Sequence, residues 1–217
     1  YQSNGIACMP IKFTVKYDAG SADAVGTVAE MTCEYDRVCT VKGNGYTWTG
    51  HTFQNWKCEG DCVKELWQSG DDIGGGTTVA DAVLTLVAQW TANKTNVVLS
   101  ATGDLVAGSN SALIEAEYGA ELPVLTEVPA KLGYALTGFW DAESGGVQYY
   151  DVNGNGLKTW DKNLGKTTLY AQWTINNYTV NFVNNAGQTV FTKVYPYGTP
   201  ASTLEADAPA NTAPTAY

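Results

Sequence analysis

The strings Leu86-Val87-Ala88-Gln89-Trp90 and Leu169-Tyr170-Ala171-Gln172-Trp173 decide the fold of this chain. They share Leu, Ala, Gln and Trp at the same places, and Trp173 follows Trp90 by 83 residues. Apolar and aromatic residues of this kind are typical of a buried strand. A string that recurs at one long spacing indicates a tandem repeat of a single supersecondary unit.

Other landmarks recur at the same offset, so the repeat extends well beyond the two strings. They are Glu34-Tyr35 with Glu117-Tyr118, Gly50-His51 with Gly133-Tyr134, Trp56 with Phe139, and Leu66-Trp67 with Tyr149-Tyr150. The register holds without a gap from residue 34 to residue 173. These aromatic and glycine positions are the types that fix strands and turns.

A third copy begins near Tyr178, where Tyr178–Val183 alternates with the period of two that is typical of a strand. It ends before another Ala-Gln-Trp string, so the sequence predicts an incomplete copy. We therefore expect four segments: a remnant of a preceding segment (1–10), a first module with cysteines (11–91), a second module (92–174) and an incomplete third module (175–217). The rest of the chain reads as strands and glycine-rich turns, with two short helix candidates at Ala112–Glu117 and Ser202–Ala206.

Composition excludes several classes of function. Of the 217 residues, 44% are hydrophobic and 16% are charged, which is typical of a folded chain with an uncharged polar surface. The net charge is −10, and the 12 Lys and Arg are scattered, so a nucleic-acid partner is not expected. No stretch approaches the roughly 18 to 20 apolar residues of a membrane span, so no membrane insertion is expected in this fragment.

Four of the five cysteines, Cys33, Cys39, Cys58 and Cys62, lie within 30 residues of one another. Their counterparts in the second copy all lack a thiol, which indicates that the four act as one set. Clustered cysteines in a polar β-rich chain favour two disulfides and an oxidising compartment, with three pairings open. The alternative is a zinc site with four thiolate ligands, although the five residues between Cys33 and Cys39 are too many for a zinc knuckle.

Two segments carry a family resemblance. Lys131–Trp140, which contains Gly133-Tyr134 and Gly138-Phe139-Trp140, resembles the "GY-x-F-x-GW" segment of the Listeria–Bacteroides repeat, and Thr168–Trp173 resembles its closing "TLYAxW" strand. Gly50–Trp56 and Leu86–Trp90 match the same two segments in the first copy. Together the matches cover roughly residues 11 to 200.

This resemblance implies an all-β fold of tandem small modules, β-grasp-like or sandwich-like, in an elongated array. Such modules occur in internalin-type and other long surface proteins of bacteria, where they act as spacers, stalks or adhesive segments. The implied location is extracellular, at the bacterial cell surface or cell wall or secreted, with neighbouring repeats of the parent chain as partners. The family carries no catalytic residues that could be transferred, so no enzyme activity is expected.

The loop from Asp151 begins like a calcium-binding EF-hand loop. The candidate ligands are Asp151, Asn153, Asn155, Leu157 through its carbonyl, and Asp161. However, Lys162 stands where a bidentate Glu is needed, and the Asn-Gly dipeptides are typical of a hairpin turn. Both interpretations stay open here, and no other cofactor is expected.

The aromatic residues suggest a second function. Four recur between the copies and are expected in the core, namely Trp56, Trp90, Phe139 and Trp173. Five others are free to be exposed and to bind a glycan or a host surface protein: Trp48, Trp67, Trp140, Trp160 and Tyr149. The acidic pair Asp71-Asp72 is predicted to be a solvated turn, because adjacent carboxylates on a strand point to opposite faces. His51 replaces an aromatic landmark and is predicted to pack rather than to react.

Overall fold

The computed structural model describes residues 2–3, 8–103, 105–109, 111–163, 165 and 167–209. Eighteen strands and one helix occur in this part of the chain. The strands are β1 (Gln2–Ser3), β2 (Cys8–Met9), β3 (Lys12–Asp18), β4 (Val25–Gly26), β5 (Met31–Glu34), β6 (Tyr46–Thr47), β7 (His51–Glu59), β8 (Leu66–Trp67), β9 (Val83–Ala92), β10 (Lys94–Ser100), β11 (Leu105–Ala107), β12 (Ser111–Glu117), β13 (Ala130–Lys131), β14 (Tyr134–Trp140), β15 (Gln148–Tyr150), β16 (Thr167–Ile175), β17 (Asn177–Val183) and β18 (Thr189–Pro196). The helix is α1 (Ala201–Asp207).

The chain forms two compact units. The first contains Tyr1–Thr95, Glu117–Ala120 and Trp160–Gly165, and the second contains Asn96–Ala116, Glu121–Thr159 and Lys166–Tyr217. Three short segments of the second sequence copy, 92–95, 117–120 and 160–165, therefore cluster with the first unit. The boundaries of the compact units therefore differ from the boundaries of the sequence copies.

A five-stranded mixed sheet in the order β5-β3-β9-β7-β8 forms the first unit. Its centre is the parallel pair β3 and β9, where Thr14 lies opposite Val83 and Tyr17 opposite Leu86. The other pairings are antiparallel. Alternation places Phe13 and Val15 in the core, at 1% and 0% exposure. A small antiparallel pair, β4 with β6, lies in the same unit.

The second sheet repeats this plan. Its strand order is β12-β10-β16-β14-β15, with β10 and β16 as the parallel pair and β11 with β13 as the small antiparallel pair. In each sheet the first and last long strands of one copy lie side by side at the centre. That arrangement is β-grasp-like, and each copy has one five-stranded sheet and one two-stranded sheet. The predicted all-β fold of repeated modules is confirmed.

The third copy is a hairpin of β17 and β18 followed by α1. Helix α1 covers the predicted Ser202–Ala206. The predicted helix at Ala112–Glu117 was wrong, because this segment is strand β12 and lies beside β10 at one end of the second sheet. Helix propensity of Ala, Leu and Glu is a weak preference, and hydrogen bonding to a neighbouring strand outweighs it here.

Candidate functional site

The four clustered cysteines form two local disulfides. Cys33 in β5 pairs with Cys39, and Cys58 in β7 pairs with Cys62. The Cα atoms are 5.8 and 6.3 Å apart, which lies within the usual range for a disulfide. The structure thus selects one of the three pairings that the sequence left open. With all four sulfurs in disulfides, this set has no thiolate to offer a zinc ion.

Asp71 and Asp72 both stabilise a turn. The Asp71 carboxylate accepts hydrogen bonds from the amide of Gln68, at 3.0 Å, and from the Nζ of Lys64, at 2.9 Å. Asp72 Oδ1 accepts from the amides of Cys39 and Gly74, both at 2.9 Å. These hydrogen bonds hold the pKa of each carboxyl below its usual value. The arrangement matches the predicted turn.

The candidate calcium loop is held together by its own first residue. Asp151 Oδ1 accepts from the amides of Asn153 and Asn155, both at 2.8 Å, and Oδ2 accepts from the side-chain Nδ2 of Asn155 at 2.9 Å. The hydrogen bond from the Asn155 side chain is the first cause that lowers the pKa of the Asp151 carboxyl. The geometry is that of an Asx turn, in which an Asp side chain replaces a backbone acceptor. These contacts do not test calcium ligation through Asp151, Asn153, Asn155, Leu157 and Asp161, which stays one of the two interpretations that the sequence left open.

The solvent exposure of the aromatic residues differs in part from the expectation. Trp56 and Phe139 are buried, at 0% and 2% exposure, whereas Trp90 and Trp173 are half-buried. The expectation of free aromatic side chains was wrong for three of five residues: Trp67, Tyr149 and Trp160 are 4%, 1% and 1% exposed. They fill the interior because small modules need large side chains to build a core. Trp48 and Trp140 are half-buried.

His51 packs among aromatic rings. Its imidazole is stacked on Trp48 with ring centroids 3.6 Å apart, and Nδ1 lies 3.0 Å from the carbonyl oxygen of Thr49. Tyr118 meets the same imidazole edge-on, with centroids 6.0 Å apart. These contacts are those of the predicted packing role.

One backbone contact recurs in both units, and we call it the Tyr–Gly joint. In the first unit the amide of Asn93 donates to the carbonyl of Gly50 at 2.8 Å, and the amide of Tyr118 donates to the carbonyl of Asn93 at 2.9 Å. In the second unit the corresponding bonds join Asn176 to Gly133 and Tyr197 to Asn176, both at 2.8 Å. The same pair of bonds thus links a glycine inside one sequence copy to a Tyr of the next copy, through the Asn that lies just beyond the end of the first of the two copies.

Ring packing completes each joint. Gly50 and Gly133 have φ values of +74° and +77°, and a Cβ atom on either would overlap the ring of Tyr118 or Tyr197. Glycine is therefore required twice over, for its conformation and for the space it leaves. Tyr118 packs edge-on to His51, and Tyr197 packs edge-on to Tyr134 with centroids 6.2 Å apart. Each tyrosine covers the residue that follows the glycine.

The first joint has an additional side-chain network. Asn93 is only 7% exposed, its Nδ2 donates to Asn163 Oδ1 at 2.9 Å, and its Oδ1 accepts from the hydroxyl of Thr52 at 2.5 Å. A buried amide with both ends bonded fixes the position of the connection between β9 and β10. Sequence reasoning assigned no role to this joint, although Tyr118-Gly119 and Tyr197-Gly198 are similar pairs that could have indicated it.

Residues 13–89 match the family model of the Listeria-Bacteroides repeat domain. These residues form a Listeria-Bacteroides repeat domain. The match runs from β3 into β9, so the repeat domain contains all five strands of the first sheet. The resemblance seen in the sequence is confirmed for this copy.

Two proteins of Evansella cellulosilytica resemble a larger part of the chain. One, named "Putative Gly-rich membrane protein", is 31% identical over 189 residues, which is 84% of this chain and 19% of that protein. The other, named "Putative membrane protein", is 30% identical over 153 residues, or 68% of this chain and 20% of that protein. The chain spans about a fifth of the length of these relatives.

None of the helices in the described part of the chain has the length and apolar character needed to cross a membrane. Within the same residues there is no group of three or more His, Cys, Asp or Glu side chains placed to hold a metal ion.

Proposed function

We propose that this chain is a non-catalytic spacer segment of a long bacterial surface protein. In this proposal the repeat domains add length to the chain rather than perform chemistry. The observation that carries it is the Tyr–Gly joint, which occurs twice with the same two backbone bonds and the same ring contact. If the same joint forms at every copy, the length of the segment increases with the number of copies, as a spacer requires.

An extracellular location is supported by the covalent structure. Disulfides persist in oxidising compartments, and the first repeat domain contains two. The relatives from Evansella cellulosilytica have names that describe them as membrane proteins, and they are about five times the length of the matching region. We infer that the chain is presented outside the cell as part of such a longer protein.

Adhesion through exposed aromatic residues is the weaker candidate. A sugar-binding platform needs rings that water can reach, and Trp67, Tyr149 and Trp160 are buried. The largest exposed aromatic side chains among the described residues are on the third copy, where Tyr178, Phe191 and Tyr197 are 48%, 38% and 37% exposed. They lie on the β17–β18 hairpin and its following turn rather than around a polar groove.

A distance measurement tests the spacer proposal. Spin labels on non-canonical residues at the exposed positions Asp23 and Glu117, both in the first unit, would report the distance across the first joint by electron paramagnetic resonance. We expect a narrow distribution in the wild type and a broader one in Tyr118→Ala, which removes the ring of the first joint. A label pair within the first copy, at Asp23 and Lys64, is the matched control and should not change.

A wild-type distribution as broad as that of Tyr118→Ala would overturn the proposal, because the joint that carries it would then have no fixed geometry.

A further inference from the structure

An apolar cleft of about 270 Å³ opens in the second unit. Three buried residues line it, namely Leu99, Pro129 and Phe139. Leu113 and Val124 also line it but are 65% and 66% exposed, so these side chains do not fill the space. The cleft is larger than the engineered apolar cavities, roughly 150 Å³ in volume, that take up benzene.

The sheet register identifies the counterparts of these residues in the first copy. Tyr17 pairs with Leu86 as Leu99 pairs with Leu169, and Trp56 pairs with Ala88 as Phe139 pairs with Ala171. Tyr46 corresponds to Pro129, because Gly26 approaches the Cα of Tyr46 just as Gly108 approaches the Cα of Pro129. Leu99, Pro129 and Phe139 thus stand where the first copy has Tyr17, Tyr46 and Trp56.

In the first copy three rings occupy this region. Tyr17 and Tyr46 both pack edge-on to Trp56, with centroids 5.0 and 6.2 Å apart. The hydroxyl of Tyr46 donates to the carbonyl of Tyr17 at 2.9 Å. Tyr17 is itself held by the amide of Lys42, which donates to its hydroxyl at 2.8 Å. All three counterparts in the second copy are smaller: Phe139 keeps one ring, whereas Leu99 and Pro129 leave the places of the two tyrosine rings without a ring.

We propose that this cleft binds a single-ring phenol, neutral or cationic, in the place that a tyrosine ring occupies in the first copy. The phenol ring would pack on Phe139, and its hydroxyl would donate to the carbonyl of Leu99, the counterpart of the Tyr17 carbonyl. Glu127 lines the cleft, and no basic residue is among the described residues that line it. The site therefore selects against ligands that carry a carboxylate.

The proposal does not rest on the spacer function and is tested separately. The purified chain is titrated with p-cresol, tyramine, 4-hydroxybenzoate and, as a non-aromatic control, cyclohexanol, and amide chemical shifts are followed by NMR. We expect saturable shifts at Leu113, Ile114 and Leu125 with p-cresol and tyramine, with a Kd on the order of 1 mM for ligands of this size. 4-Hydroxybenzoate should bind at least about threefold more weakly than tyramine, and Glu127→Gln should reduce that difference in affinity.

Two kinds of variant identify the site. Leu99→Tyr restores a ring of the first copy and should abolish the shifts, and Ala112→Phe fills the cleft from another side if Leu99→Tyr does not fold. Tyr46→Ala removes a ring from the first copy and should create a second set of saturable shifts, near Tyr17 and Trp56.

Absence of saturable shifts at the cleft with p-cresol would overturn the proposal. Equal shifts with cyclohexanol would do the same, because they would indicate nonspecific partition into apolar surface. Shifts that persist in folded Leu99→Tyr and Ala112→Phe would place the binding elsewhere on the chain.

Discussion

Replacing Gly50 by Ala tests the Tyr–Gly joint most directly. The substitution costs about 1 kcal/mol because a side chain is placed at a φ of +74°. It also displaces the ring of Tyr118, which loses packing of about 1 kcal/mol and an edge contact with His51 of similar size. We therefore expect Gly50→Ala to lower the free energy needed to open this region by about 3 kcal/mol in total.

The matched control is Gly70→Ala. Gly70 also has a positive φ, of +93°, but a Cβ atom there would meet no atom within 4 Å. It should cost about 1 kcal/mol, the conformational part alone. The difference of about 2 kcal/mol corresponds to roughly a 30-fold change in the local opening constant.

Hydrogen exchange followed by mass spectrometry measures that constant, because peptides covering β7 report opening of this region alone. The double variant Gly50→Ala/Tyr118→Ala should cost less than the sum of its single variants, since the overlap no longer exists when the ring is absent. Equal effects of Gly50→Ala and Gly70→Ala, or strict additivity in the double variant, would refute the reasoning.

Three further predictions concern the covalent links, the buried tyrosine and the acidic loop. Replacing Cys58 and Cys62 by Ser should lower the free energy of unfolding by about 2 kcal/mol, as expected for a short closed loop, and urea denaturation of the folded protein measures the loss. Burial raises the pKa of Tyr150, so this group ionises first in the unfolded chain as the pH rises above about 10, and the free energy of unfolding falls in that range. Tyr150→Phe should make the free energy of unfolding fall less steeply with pH, which urea denaturation at several pH values measures. The Asp151 carboxylate already accepts three hydrogen bonds, so calorimetric titration with Ca²⁺ should give no saturable heat; a heat that disappears in Asp151→Asn would contradict this.

The sequence predicted an all-β fold of repeated modules because its main signal is repetition. Trp90 and Trp173 locate the closing strands, and both lie in the strands expected for them. The burial of Trp67 could also have been anticipated, since the 83-residue offset places it on Tyr150 and both are buried. Trp160 falls on Thr77 at that offset, so nothing in the repeat indicated its burial.

Other features depend on contacts that a repeat does not encode. The strand β12 is rich in helix-favouring residues, and only its place beside β10 makes it a strand. Each disulfide joins a strand cysteine to a cysteine four or six residues later in the loop that follows, and the path of that loop is not marked by the repeat. The Tyr–Gly joint depends on the carbonyls of Gly50 and Gly133 facing amides more than 40 residues later. Single residues mark such contacts weakly, because the bonds are made by backbone atoms that every residue has.

The two complete copies show which parts of the module are interchangeable. The second copy lacks the disulfides of the first and keeps only one ring, Phe139, where the first has Tyr17, Tyr46 and Trp56. It nevertheless forms a sheet with the same strand order. Strand order is therefore set by backbone pairing around the parallel centre, and side-chain volume and crosslinks are added to it. Because the strand order does not depend on side-chain volume or crosslinks, a copy can have smaller core side chains and keep its fold. An open cleft such as the one beside Phe139 then costs a module part of its stability while its sheet and joint remain in place.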